Sequence, residues 1–255
     1  GLIYKSGKLL VNRNSGYFAA VVFAVSNFCL TLVAGGYATD HNDISFMFYI
    51  SASIWAWLEY KNATTKKRKR LFIVLIGLFS GMAVLVKWLV GLVVYSGWGL
   101  SVVFSKKERG FSKNYLNLAL SFSISLLVFL PWQLYISYAF PEQSAYEFAL
   151  NTSHFFNIIE GHGGDWLHHL NQTNYIYGFA FPFMILFTII FLKKIRKKEL
   201  RVFSFACFVI VYVFFSIAAT KMIAFTFCAS LFGFIAIGSF VDSLLKTVVL
   251  NKEIV

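Results

Sequence analysis

Charge is scarce in this sequence. Only 13% of its 255 residues are Asp, Glu, Lys or Arg, against roughly a quarter in an ordinary water-soluble domain, and that shortage excludes a soluble globule. Acidic residues are the scarcest, 11 against 23 Lys and Arg. The resulting net charge of +12 does not mark a nucleic-acid binder, because the cations fall in short clusters between apolar runs, with no basic helix face or nucleic-acid module. Cysteine is nearly absent too. Cys29, Cys207 and Cys228 all lie inside apolar stretches and lack the spacing of a metal site or a disulfide framework. No heptads, low-complexity tracts or repeat period occur, which removes coiled coils and solenoids. There is no HExxH, no GxGxxG and no Walker loop.

What the chain has in abundance is apolar: 58% hydrophobic and 19% aromatic residues, with a mean hydropathy of +0.69. Apolar runs occupy 17–35, 44–58, 71–86, 88–104, 115–138, 174–192, 202–219 and 222–241, most of them close to the roughly 20 residues that cross a bilayer core. Basic clusters punctuate them: Lys61 with Lys66 to Arg70, then Lys106, Lys107, Arg109 and Lys113, then Lys193 to Arg201. Such clusters mark cytoplasmic loops. Residues 71–104 are uncharged apart from Lys87, too long for one crossing, and flanked by basic loops on both sides. They therefore predict a helical hairpin with Lys87 at its far tip, eased by the small residues Gly81 and Gly91.

The expectation is an all-α polytopic membrane protein of about eight transmembrane helices, with both ends on the basic side. Residues 1–16 predict a surface helix carrying Lys5, Lys8 and Arg13. The chain predicts one domain over 1–255, with an extracytoplasmic loop at 139–173 that contains no Lys or Arg. Its opening lacks the uncharged core of a signal peptide and begins mid-pattern, so an N-terminal part is expected upstream of Gly1. On this topology every histidine and the acids Asp40, Asp43, Glu142, Glu147, Glu160 and Asp165 share the outer side, and chemistry is expected there.

Residues 36–43 read Gly-Tyr-Ala-Thr-Asp-His-Asn-Asp, with Asp40, His41 and Asp43 pinned between two apolar runs, a costly place for charge. A carboxylate at such a boundary can act as general base on an acceptor hydroxyl, or hold a divalent cation against a phosphate. The plainer alternative is that Asp40 or Asn42 caps the following helix. Lys87 and Lys221 are the cations expected on the outer side. Either they snorkel, or they bind an anionic ligand such as a lipid-linked phosphate. The loop carries His154, Glu160, His162, Asp165, His168 and His169, dense enough for a zinc or manganese site but without standard ligand spacing. Solvated side chains explain it equally. Two sequons, at Asn151 and Asn171, are short enough to occur by chance.

Taken together, the 36–43 patch, the hairpin stretch from Gly77 through Gly81 and Lys87 to Gly91, Pro131-Trp132, and Thr220-Lys221-Met222 resemble the polyprenyl-phosphate-sugar-dependent glycosyltransferases. These GT-C class membrane enzymes include protein O-mannosyltransferases and the aminoarabinose transferases acting on lipid A. The resemblance implies that Asp43 matches the acid of the second outer loop, Lys87 the hairpin-tip lysine, and Lys221 the lysine opening the turn before the last spans. It implies that 139–173 covers the active site. Two departures stand out: the acid usually assigned as base lies in a first outer loop upstream of Gly1, and Met222-Ile223-Ala224-Phe225 replaces the Leu-Pro-x-Tyr common in relatives.

The function so implied is transfer of a sugar from a polyprenyl-phosphate donor to a lipid, glycan or protein acceptor, in the bacterial cytoplasmic membrane with the active site facing outward. Asp43 and Asp40 are the catalytic candidates and Lys87 and Lys221 the phosphate ligands. His41, His154, Glu160, His162, Asp165 and His169 are candidate acceptor contacts. No cofactor is required by the pattern, a divalent metal ion being the open addition; membrane lipids are partners and nucleic acid is not. A transporter or lipid flippase is the alternative, although internal repeats and matching broken helices are missing. A non-catalytic membrane subunit is another.

Overall fold

The structure, a computed structural model, describes residues 1–36 and 42–252, and all regular elements among them are helical. Leu2–Leu10 (α1) and Arg13–Ala24 (α2) cross where Gly7 lies on Gly16, a contact that only small residues permit. Asn12 caps α2, its Oδ1 accepting from the Ser15 amide at 2.9 Å. The expected run 17–35 is not one straight helix. Ser26 takes an extended backbone, and Asn27–Val33 (α3) restarts at 56° to α2. The cause is the Ser26-Asn27 pair, whose short polar side chains compete with helix continuation; the Ser26 hydroxyl donates to the Ile176 carbonyl.

Asn42–Asn62 (α4) and Lys66–Lys87 (α5) lie antiparallel, α5 being capped by Thr65. The chain then reverses at Lys87. Trp88–Leu92 forms a 3-10 turn that sets Gly91 against the backbone of Ala83 and Val84. Val93–Phe104 (α6) then runs back toward the start of α5, and its Tyr95 hydroxyl donates to the Ser121 carbonyl, which also faces Gly77. Lys106–Arg109 (α7) leads into Ser112–Ala139 (α8). Gly77 and Gly81 let α8 approach α5 closely, since a Cβ on either would meet Ile124 or Val128 at 2.6 Å.

The segment expected as a loop from 139 is largely a helix, Pro141–Phe156 (α9). Pro141 opens the helix with its φ already set, and Glu142 in the first turn suits the positive end of the helix dipole. His168–Asn171 (α10), Thr173–Tyr177 (α11), a 3-10 stretch Gly178–Phe183 and Met184–Lys194 (α12) return along the bundle. Lys198–Ile217 (α13), a 3-10 stretch Ile223–Ala229 and Ser230–Lys252 (α14) complete it. At its centre the rings of Trp57 and Phe203 stack with centroids 3.6 Å apart.

The two ends of the bundle differ in charge. At the basic end Lys61 pairs with Glu108 at 2.6 Å, and Lys197 donates to Asn62. There Asp242, 1% exposed, accepts from Asn12, Lys194 and Lys246, each at 3.0 Å. The other end holds Asp43, Lys87, α9 and the turn before Ile223. Among the described residues five stretches are long and apolar enough to cross a membrane, or six if α2 and α3 count as one. The expected eight is not reached by this measure. Residues 66–104 count as one of these stretches although the chain reverses within them at Trp88–Leu92, and α4 is diluted by Ser45, Ser51, Ser53 and its tryptophans. α4 can afford that polarity because other helices enclose it: Phe46, Ile50, Ile54 and Trp57 are all buried.

Candidate active site

Because α4 and α5 are antiparallel, the first turn of one meets the last turn of the other. Lys87 Nζ donates to Asp43 Oδ1 at 2.5 Å. Asp43 is 3% exposed and the Lys87 side chain 28%, so the carboxylate anchors the pair and the ammonium keeps a face open. That ammonium also stands 4.7 Å from the ring centroid of Phe225, over its electron-rich face. The next residue, Trp88, has φ 60° and ψ −157°, a backbone region that side chains seldom enter. Its ring meets Phe148 of α9 edge-on.

Lys87 lines a cavity of 620 Å³, whose remaining wall is largely apolar, with Ser96, Asn151, Thr152 and His154 as its polar members. Val93 on α6, Phe155 on α9, Phe214 and Phe215 on α13, and Met222 and Phe225 beyond it all face the space. Among the described lining residues Lys87 is the only Asp, Glu, Lys or Arg. Such a cavity suits an extended apolar chain with one anionic group near its mouth.

The remaining sequence candidates distribute unevenly. Asp40 and His41 lie outside the described residues. His154 lines the cavity, and its Nδ1 is buried without a hydrogen-bond partner. Glu160, His162 and Asp165 are exposed and do not line the cavity. His169 is buried between His168 and Phe215. No three His, Cys, Asp or Glu side chains among the described residues form a metal-ligating group.

Lys221 is placed differently from what the sequence suggests. Its Nζ donates to the carbonyls of Ala218, Ser216 and Phe215 at 2.6, 2.9 and 3.5 Å. It thereby satisfies the free C-terminal carbonyls of α13, where a cation also meets the negative end of the helix dipole. It does not line the cavity with Lys87. Sequence reasoning passed over its neighbour Thr220, which is fully buried and whose hydroxyl bonds to the chain at Asn157 and Ile159. A threonine beside a lysine carries no signal of that role.

Residues 2–146, from α1 into α9, match the family described as dolichyl-phosphate-mannose-protein mannosyltransferase. The chain belongs to that family. Both halves of the ion pair fall inside the match, whereas Thr220 and Lys221 lie beyond it. This mannosyltransferase-family chain is also similar in fold to ArnT from Cupriavidus metallidurans bound to undecaprenyl phosphate. That similarity has a TM-score of 0.75 and 16% identity, over 98% of this chain and 46% of that one. The apo state of the same protein gives 0.65 and 18%, over 94% and 41%. The chain thus spans less than half the length of those structures. No curated protein matches it in sequence.

Proposed function

We propose that this chain forms part of a membrane glycosyltransferase that takes a sugar from a polyprenyl-phosphate donor. The observation that carries the reading is one lysine, held by a buried carboxylate, in the wall of a largely apolar cavity. Family membership supports a lipid-phosphate sugar as donor. The isoprenoid chain lies along the apolar wall and the phosphate sits against Lys87.

Chemically, the bond between the sugar's anomeric carbon and the phosphate oxygen breaks while a bond to an acceptor oxygen or nitrogen forms from the opposite face. The departing phosphate gains negative charge, which Lys87 stabilises in a low-dielectric surrounding where such an interaction is strong. The acceptor's proton goes to a carboxylate. Asp40, three residues before Asp43, is the candidate within this chain, while Asp43 holds Lys87 in place. The reaction faces the side opposite the basic loops. The acceptor is a lipid, glycan or protein group, and the sugar a hexosyl or pentosyl unit.

Membranes bearing the full-length protein and supplied with labelled polyprenyl-phosphate sugars test the reading. Lys87→Ala is expected to abolish label transfer while membrane insertion persists; turnover at the wild-type rate in that variant would refute it.

A further inference from the structure

The helix that closes one side of the cavity is weakly rooted in the bundle. No residue of α9 is buried, and Phe156, Phe148 and Tyr146 are largely exposed. What secures its C-terminal end is a set of hydrogen bonds from the turn after α13. The amides of Ala219 and Thr220 donate to the carbonyls of Phe155 and His154, each at 3.0 Å. The Lys221 amide donates to the His162 carbonyl at 2.7 Å. Between these, the Thr220 hydroxyl donates to the Asn157 carbonyl at 2.8 Å and accepts from the Ile159 amide at 3.1 Å. It is the one side chain in the set that bridges the irregular segment leaving α9.

We propose that Thr220 is a positioning residue for lipid binding: its hydroxyl clasps Asn157 and Ile159, and so keeps His154 and Phe155 in place in the wall of the Lys87 cavity. The inference rests on the lipid-phosphate reading above. Its chemistry is specific, because the site needs a group that donates and accepts at once, in a buried position. Serine satisfies both demands; valine, of nearly the same shape, satisfies neither and leaves the Ile159 amide and the Asn157 carbonyl without this partner. Lys221 fixes the other side of the clasp by holding the end of α13.

The test uses the full-length protein in detergent with undecaprenyl phosphate as probe. Two quantities are read: the dissociation constant, and hydrogen exchange of the backbone amides over 154–162. Thr220→Val is expected to weaken binding roughly tenfold, the cost of an unmet buried hydrogen bond, and to speed exchange in that segment. Thr220→Ser is expected to restore both, and Thr220→Ala serves as the second hydroxyl-free variant should valine fail to insert. Wild-type affinity in the hydroxyl-free protein would overturn the proposal, as would weakened binding with unchanged exchange or without rescue by serine. If the wild type itself does not bind undecaprenyl phosphate, the lipid reading fails separately, and unaltered exchange in Thr220→Val would then overturn the clasp on its own.

Discussion

Lys87 and Asp43, 44 positions apart in the chain, share a 2.5 Å hydrogen bond at the point where α4 begins and α5 ends. Removing Lys87 takes a cation from the buried Asp43 carboxylate, and removing Asp43 takes the anchor from Lys87, so the two substitutions are coupled. We expect Lys87→Met and Asp43→Asn each to lower the unfolding midpoint in detergent, and the double variant to lose less than their combined effect. A coupling energy of roughly 2 kcal/mol is the anticipated size. Simple additivity across the four proteins would contradict the pairing.

Asp242 makes a similar prediction at the far end. Its carboxylate joins α2, through Asn12, to α12, through Lys194, and both meet on α14. Asp242→Ala is expected to cost about 3 kcal/mol, since it removes the buried carboxylate on which Asn12 and Lys194 converge. Lys246, with 58% of its side chain exposed, adds little, and Lys246→Ala should change stability by no more than about 0.5 kcal/mol. Equal effects from the two variants in thermal melts would show that the solvated pair carries the staple.

The reversal after Lys87 depends on Gly91. A Cβ there would lie 2.6 Å from the Val84 nitrogen and 2.8 Å from the Ala83 carbonyl carbon, which are backbone atoms with no rotamer to yield. Gly91→Ala should therefore destabilise the protein by roughly 1–3 kcal/mol and shift the Lys87 tip. A melting point equal to the wild type's would mean that the turn can open without penalty.

The two lysines at this end should also part company in binding. Lys87→Met is expected to weaken undecaprenyl phosphate binding at least tenfold, on the scale of a lost charge-assisted contact. Lys221→Met should instead lower stability by about 1 kcal/mol through loss of carbonyl capping and disturb affinity only a few-fold. Titrations of both variants at low and high salt distinguish them, because only the Lys87 contribution should carry a salt-dependent component.

How far the sequence could be read depended on whether a feature was local. Lys87 stood out because it interrupts a long uncharged run between two basic clusters, so the hairpin and its tip follow from charge alone. Asp43 was conspicuous for the same reason. Their meeting follows from antiparallel neighbours, which short connections impose. Lys221 has the same appearance in the sequence, yet its amine turns back on the end of its own preceding helix. Only the conformation of residues 215–221 decides that. Thr220 was invisible because its partners are backbone atoms about 60 positions away, and backbone atoms leave no residue-type signature. The bend at Ser26 and the helix in 141–156 were missed because apolar length, rather than capping chemistry, set the expected boundaries.

The engagement of Lys221 by three carbonyls has a consequence for valence. With that amine committed, the described cavity wall offers an anionic head the single positive charge of Lys87, itself paired with Asp43. On the proposed lipid-phosphate reading, such an arrangement would favour a monoanion, as in a sugar phosphodiester, over the more highly charged diphosphate linkage. Discrimination between donor classes would then arise from a cation the protein keeps for its own backbone.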